Sequence, residues 1–380
     1  MDFQAPAEDD PRREAVRSWL AGHASPSAAE LARAGYVAPH WPPPWGLGAD
    51  PIEQVIIDDE LQRAGVERPD NPIAIGWAGP TIVAGGTREQ QERWLPGILD
   101  GSQEWCQLFS EPDAGSDLAS LRTQAVRDGD SYLVNGQKIW STWADRSDWG
   151  ILLARTDPDA PAHRGISFLV VDMRAPGIEV RPIVEMTGGN HFNETFLTDV
   201  RIPVGHRIGP ENGGWRLAKV TLGNERVSLS AGGVLWGMGP TSVACLDEIR
   251  AGGVADPMLR QRAAPMLRQR AGRAEAERVI IGLLGHRIMA EVQRTGEPGP
   301  FASVRKTLTD EHGQHLMSLV KDLHGAEGML GVQDATAENV DPWHWGYLFS
   351  RALTIGGGTS EVQRDIIAEQ LLGLPREPRP

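Results

Sequence analysis

Apolar residues recur at helical spacing in the first and last parts of the chain. Before about residue 105, the clearest cases are Pro51–Leu61 and Arg88–Leu99, and Gly101 closes the second of them. The same spacing returns after Asn212 and predicts further helices. The predicted segments are 213–250, 257–294, 301–325 and 359–372, which is enough for a helical bundle.

The middle of the chain has another pattern, with short β-rich runs separated by glycine, proline and aspartate. Asn135-Gly136 lies between Ser131–Val134 and Gln137–Trp140 and predicts a hairpin. Further runs are found at 149–154, 166–172, 178–184 and 194–200. A stretch of this kind predicts a compact β-barrel or β-sandwich.

The order of these segments predicts an α+β protein with three domains. We expect an N-terminal helical domain over 1–105, a middle β-domain over 106–211 and a C-terminal helical bundle over 212–380. Because the strands do not alternate with helices, the pattern excludes a doubly wound dinucleotide-binding fold.

Charge and composition narrow the classes of partner. The net charge of −14 argues against broad binding to nucleic acid or to anionic membranes. It leaves room for a phosphate-bearing ligand, because a few arginines and helix N-termini are enough to hold one. No apolar run approaches the roughly 20 residues of a membrane span. Cys106 and Cys245 form neither a metal-ligand spacing nor a disulfide framework, so we expect no metal and a cytoplasmic location.

Glu225 is a carboxylate inside the apolar face of a predicted helix. It shares that face with Ala218, Leu222, Leu229, Gly232 and Trp236. Burial of a carboxylate raises its pKa toward neutrality, which suits a general base in a dry site. A buried glutamate paired with an arginine from another helix would give the same pattern, and the pattern alone leaves both readings open.

Three further segments carry candidate chemistry. Gly356–Arg364 is a glycine turn before a helix capped by Thr359 or Ser360, where free N–H groups would suit a pyrophosphate. Ser110–Asp117 offers hydroxyl and backbone donors to the edge of a heterocycle, although a polar turn between domains has the same composition. Trp140-Ser-Thr-Trp143 offers an aromatic face and a hydroxyl.

Together these segments resemble the acyl-CoA dehydrogenase family, in order and at compatible spacing over essentially the whole chain. The matching residues are Glu111-Pro-Asp-Ala-Gly-Ser-Asp117, Gly136-Gln-Lys-Ile-Trp140, Val200-Arg-Ile-Pro203, Asn212-Gly-Gly-Trp215, Glu225-Arg226 and Gly358-Thr-Ser-Glu361. The resemblance implies a C-terminal four-helix bundle, with FAD between the β-domain and the bundle. It also implies a homo- or hetero-oligomer, commonly a tetramer, in which a neighbouring subunit completes the FAD site.

The resemblance also assigns roles to individual residues. Trp140 would stack near the isoalloxazine and Thr142 would hydrogen-bond near its N5. The other residues assigned to FAD are Phe109, Ser110, Gly115, Ser116, Gly325, Gly358, Thr359, Ser360 and Glu361. The residues assigned to substrate are Ser116, Arg226 and Gly357.

The family places its catalytic glutamate at one of two positions, and here one holds Gly357 and the other Glu225. The resemblance therefore implies that Glu225 takes the α-proton of an acyl-CoA or acyl-carrier-protein thioester. The β-hydride would pass to FAD N5, which gives the trans-2-enoyl thioester, and the electrons would pass to an electron-transfer flavoprotein. The small Gly356-Gly-Gly358 wall leaves room for a branched, long or polycyclic acyl group.

Three departures from the family pattern favour two alternative functions for this chain. No Arg-x-x-Phe-Gly segment is found between Ala251 and Gln269, Asp322–Gly328 replaces Gln-x-x-Gly-Gly, and Trp143 replaces a frequent asparagine. The chain thereby resembles actinobacterial-type members that form heterotetramers with fewer FAD sites than subunits. One alternative is thus a non-catalytic or half-site partner subunit. Another is an O₂-using acyl-CoA oxidase or flavin monooxygenase on the same fold.

Overall fold

The computed structural model describes residues 6–231, 233–251, 257–295, 298–325 and 341–376. The chain forms two units: Met1–Ile183 with Asn190–Asn224, and Val184–Gly189 with Glu225–Pro380. The boundaries of the three predicted domains stay a prediction. No helix of the described residues is long and apolar enough to cross a membrane.

The N-terminal part of the first unit is helical, and local sequence explains where its helices begin. The Asp50 carboxylate accepts hydrogen bonds from two backbone N–H groups at the start of α3, and Thr87 forms a capping box with Gln90 at the start of α5. The predicted helices over 51–61 and 88–99 are confirmed. The helices are α1 Pro11–Ala21, α2 Ala28–Arg33, α3 Pro51–Arg63, α4 Gly79–Gly85 and α5 Arg88–Leu99.

The rest of the first unit is built on one eight-stranded sheet. Its order is β6-β7-β3-β2-β4-β5-β8, and β1 pairs with β4 in parallel. Tyr132, Val134, Leu152 and Val200 belong to the buried apolar layer on this sheet. The strands are β1 Trp105–Leu108, β2 Gln124–Asp128, β3 Ser131–Thr142, β4 Trp149–Arg155, β5 Ile166–Asp172, β6 Ile178–Pro182, β7 Phe192–Pro203 and β8 Arg207–Ile208.

The predicted hairpin at Asn135-Gly136 is wrong. Residues 131–142 form the single strand β3, which pairs with β7, and the register shifts between Val134 and Gly136. A Cβ at Gly136 would lie 2.3 Å from Thr123 Oγ1, so the glycine permits a close approach of two chain segments within the sheet. The turn before β3 lies instead at Gly129, whose φ is 62°.

The second unit is helical, and α9 contacts α7, α8, α10 and α11 within it. The helices predicted over 257–294 and 301–325 are confirmed. The helix predicted over 213–250 is wrong, because α6 ends at Ala231 and left-handed residues at Gly233, Trp236 and Gly237 precede α7. The helices are α6 Gly214–Ala231, α7 Ser242–Ala251, α8 Pro257–Thr295, α9 Phe301–His324, α10 Pro342–Phe349 and α11 Ser360–Ile366.

Candidate active site

In the first unit, a buried ion pair fixes the loop that follows β1. Lys138 is fully buried on β3, and its Nζ donates to Glu111 Oε1 at 2.8 Å and to the Phe109 carbonyl at 2.9 Å. The Glu111 carboxylate also accepts from the backbone N–H groups of Arg122 and Thr123, at 2.6 and 2.9 Å. Burial lowers the pKa of Lys138 to about 8, while Glu111 opposes this shift. The pair therefore ties the loop to the sheet.

Two residues after Lys138, β3 turns an aromatic ring outward. Tyr132, Val134 and Lys138 alternate into the core, and strict alternation would bury the residue at 140 as well. The register shifts again between Lys138 and Ser141, and Trp140 takes a left-handed backbone with φ 60°. Trp140 is therefore 56% exposed, whereas Ser141 is buried. Such strain at a non-glycine residue costs about 1–3 kcal/mol and is typical of functional sites.

The other candidate residues of the first unit lie near Trp140 or on the loop that follows β1. Phe109 is buried edge-on against Phe168, and the Ser110 carbonyl accepts from the N–H of Ile139, next to Trp140. The structure therefore brings Ser110 and Trp140 together. Thr142 is partly buried at the end of β3, and Ser116 is exposed. No atom lies within 4 Å of a Cβ built at Gly115, so a ligand has access to this backbone.

In the second unit, Glu225 lies on α6 and is 6% exposed. The predicted apolar face changes in part, because Trp236 lies beyond the end of α6 and Gly232 lies outside the described residues. Arg226 follows Glu225; burial lowers its pKa, while the Glu225 charge raises it. Arg226 Nε is buried without a hydrogen-bond partner among the described residues, so it remains available to a ligand.

The glycine turn after α10 lies against Glu225. Gly357 and Gly358 have left-handed backbones, with φ of 64° and 84°. A Cβ at Gly357 would lie 2.6 Å from Leu229 Cδ1, 2.9 Å from Lys306 Cε and 3.5 Å from Glu225 Oε1. The structure therefore brings the two alternative positions for the base together, and the surroundings of Gly357 leave no space for a side chain.

The residues after this turn present polar groups. Thr359 caps α11 through its side chain, and Glu361 is exposed in the first turn. Gln363 Nε2 donates to the carbonyls of Gly357 and Gly358, both at 3.1 Å. Its Oε1 and Ser360 Oγ are buried without hydrogen-bond partners among the described residues. Unsatisfied buried polar atoms beside a glycine turn fit a polar ligand such as a dinucleotide.

Gly325 lies at the end of α9 with φ 56°, and no atom of the described residues is within 4 Å of a Cβ built there. Its assignment to the cofactor stays a prediction. Part of the region without the Arg-x-x-Phe-Gly segment, residues 252–256, and the end of Asp322–Gly328, residues 326–328, lie outside the described residues.

The sequence analysis missed three buried charged residues that the structure places at these sites. Lys138 lies within the matched Gly136–Trp140 segment, but no role was assigned to it. Lys306 and Asp310 lie four residues apart on α9, and both are buried. Their helical spacing was the available signal, since opposite charges at i and i+4 meet on one face.

Known protein families match the chain over most of its length. Family models for the N-terminal, middle and C-terminal domains of acyl-CoA dehydrogenases match residues 7–102, 106–200 and 212–372. The chain is 44% identical over 347 residues to acyl-CoA dehydrogenase FadE34 of Mycobacterium tuberculosis, covering 91% of this chain and 46% of FadE34. The chain thus spans about half the length of that relative.

Two further comparisons cover most of both chains. Acyl-CoA dehydrogenase IpdE1 of M. tuberculosis is 38% identical over 353 residues, covering 91% of this chain and 87% of IpdE1. The solved structure of the Tcur3481–Tcur3483 steroid ACAD is 30% identical with a TM-score of 0.77, covering 99% of this chain and 100% of that chain.

Proposed function

The chain belongs to the acyl-CoA dehydrogenase family of oxidoreductases, and we propose that it converts a bulky acyl thioester to the trans-2-enoyl thioester with Glu225 as the base. The proposal rests on two neighbouring positions. Glu225 supplies a buried carboxylate, and Gly357 beside it is tightly surrounded by other residues. Only the first position can supply a base, because Gly357 has no side chain.

Each residue at the site has a defined task in this reaction. Glu225 accepts the α-proton of the thioester at a carboxylate oxygen. Because Glu225 is buried, little water competes for that proton. Arg226 supplies a cationic donor beside it, suited to the thioester or to a CoA phosphate.

Members of this family are generally FAD-dependent, and we propose that this chain binds FAD. When bound, FAD supplies the acceptor for the hydride that leaves Cβ. Trp140 offers an exposed ring for stacking, Ser360 an unsatisfied hydroxyl and Gly115 an open backbone. The remaining residues proposed for the cofactor are Phe109, Ser110, Ser116, Thr142, Gly325, Gly358, Thr359 and Glu361.

We further propose a polycyclic acyl group, of steroid type, as the substrate. The Gly356–Gly358 turn places no side chain opposite Glu225. The comparison structure with a TM-score of 0.77 is described as a steroid ACAD. Side chains of Trp236, Leu229 and Gln363 already lie against these three glycines, so the support for a polycyclic acyl group is this comparison and not open space at the turn.

The test is anaerobic flavin reduction with a panel of thioesters, comparing the wild type, Glu225→Gln and Glu275→Gln. Glu275 is a partly exposed glutamate on α8 paired with Arg278, so its variant is the matched control. Loss of the base is expected to lower the rate by about 10²–10⁴-fold or more, with flavin content unchanged. Full activity of Glu225→Gln would refute the assignment of the base, and turnover of butyryl-CoA alone would refute the polycyclic substrate.

A second candidate function is a half-site partner subunit of a heteromeric enzyme. The comparison structure is described by two chain names, Tcur3481 and Tcur3483, which favours this candidate. The chain purified alone and the chain co-expressed with a partner distinguish the two functions. Close to one FAD per chain in the isolated protein excludes an inert partner. If the enzyme passes its electrons to an electron-transfer flavoprotein rather than to O₂, it should reduce an artificial dye without releasing peroxide.

A further inference from the structure

Lys306 and Asp310 form a buried ion pair on α9. Lys306 is 0% exposed and Asp310 2%, and Lys306 Nζ donates to Asp310 Oδ2 at 2.5 Å. Burial raises the pKa of Asp310 to about 6, although the lysine opposes this shift. A buried ion pair often contributes little net stability, because removing both charges from water is unfavourable. Stability alone is therefore a weak reason for its presence.

The pair lies beside the proposed base. Lys306 Cε and Glu225 Oε1 flank the same point, at 2.9 and 3.5 Å from a Cβ built at Gly357. Because Cε and Oε1 both lie within 3.5 Å of that point, the ammonium one bond beyond Cε belongs to the same buried neighbourhood as the Glu225 carboxylate. Coulomb interactions at such separations remain substantial in a buried site, because water screens them only weakly.

Lys306 also holds the glycine turn. Its Nζ donates to the Leu353 carbonyl at 3.2 Å, four residues before Gly357. Gln363 binds the same turn through the carbonyls of Gly357 and Gly358. The Lys306 side chain therefore places a positive charge near the base and also binds the backbone that faces the base.

The neighbouring charged side chains on α6 and α9 either bind other groups or have a role given above. Arg226 follows Glu225 on α6, and Glu311 follows Asp310 on α9 and pairs with Arg364 of α11. Arg305 precedes Lys306, but its Nε donates to the Ile281 carbonyl at 3.2 Å. Lys306 is a cation whose side chain lies against Gly357, as the Glu225 carboxylate does.

We propose that Lys306 is a positioning residue for Glu225: its ammonium, fixed by Asp310, stabilises the ionised base, and its bond to Leu353 places Gly357 against that base. The inference rests on Glu225 being the base, as proposed above. Lys306 undergoes no chemical change in this role. Its contribution is to favour the carboxylate over the carboxylic acid before the α-proton is transferred.

The experiment compares Lys306→Met, Lys306→Arg and Asp310→Asn in the full-length flavoprotein, with any co-purifying partner present. Removing the cation in Lys306→Met is expected to move the pH profile of flavin reduction to higher pH by about one to two units. On the acid limb of the profile the rate then falls by about ten- to a hundredfold, while substrate affinity changes less than about twofold. Asp310→Asn leaves the ammonium uncompensated, so its profile should move to lower pH. Lys306→Arg should restore most of the profile.

Two further measurements separate this role from a general loss of structure. Lys321 lies on the same helix and bonds His344, so Lys321→Met is the matched control and should leave the profile unchanged. Hydrogen exchange of the 353–358 amides is expected to rise in Lys306→Met and to stay near wild type in Lys321→Met. Shifts of the pH profile in the same direction for Lys306→Met and Asp310→Asn, or no shift in either, would overturn the proposal. Full activity of Glu225→Gln would instead overturn the assignment of the base.

Discussion

The Lys138–Glu111 pair offers a sharp test of how the loop after β1 is held. In Lys138→Met the methionine keeps most of the aliphatic volume but removes the ammonium. Glu111 then remains buried with the N–H groups of Arg122 and Thr123 as donors, and the Phe109 carbonyl loses its bond from Nζ. Breaking one side of a buried pair costs about 3–5 kcal/mol. The two remaining N–H donors place the expected loss near 3 kcal/mol.

The assay is a double-mutant cycle in denaturant with Glu111→Gln, followed by tryptophan fluorescence and release of bound flavin. The double variant leaves no uncompensated charge, so it should lose clearly less than the sum of the single variants. The exposed Arg88–Glu92 pair on α5 is the control, and Arg88→Met should cost less than about 1 kcal/mol. Losses from Lys138→Met and Glu111→Gln that add within about 0.5 kcal/mol would refute the reasoning, because independent residues behave in that way.

Two other consequences are open to measurement. Gly357→Ala places a Cβ 2.6 Å from Leu229 Cδ1 at a φ of 64°, so we expect a loss of roughly 2–4 kcal/mol in thermal unfolding and slower turnover. Gly205→Ala, with open space at its Cβ, is the control and should be nearly neutral, and equal effects would contradict this account. Burial raises the pKa of Cys106 and of Cys245 to about 12, so neither should react with a thiol reagent at pH 8 before denaturant is added; rapid labelling of the native protein would show that these thiols are accessible.

The sequence predicted those elements that depend on local signals. The helices that begin at Pro51 and Arg88 carry their own capping residues, and these signals do not depend on distant contacts. Asn135-Gly136 has the composition of a hairpin turn, yet it lies inside β3 because Thr123 from another segment packs against Gly136. A single sequence contains no information about that partner.

The same distinction applies to the candidate site. Glu225 was found from its apolar helix face and from the vacant carboxylate position at Gly357. Lys306 was missed because a lysine in a helix is usually exposed, and its burial depends on the return of the chain at Leu353. The early end of α6 did have a local signal, since Gly233 follows soon after Ala231 and adopts the left-handed backbone that glycine favours.

The register shift between Lys138 and Ser141 restricts insertions and deletions in this part of β3. Lys138 points into the sheet and Trp140 out of it only because the strand contains one irregular step. An insertion or deletion of one residue in this stretch would exchange inward and outward positions, moving an indole into the core or an ammonium to the surface. Substitutions are tolerable at several of these positions, but the number of residues is not free to vary. We expect indels in related chains to accumulate at turns such as Gly129 and to be absent between Lys138 and Thr142.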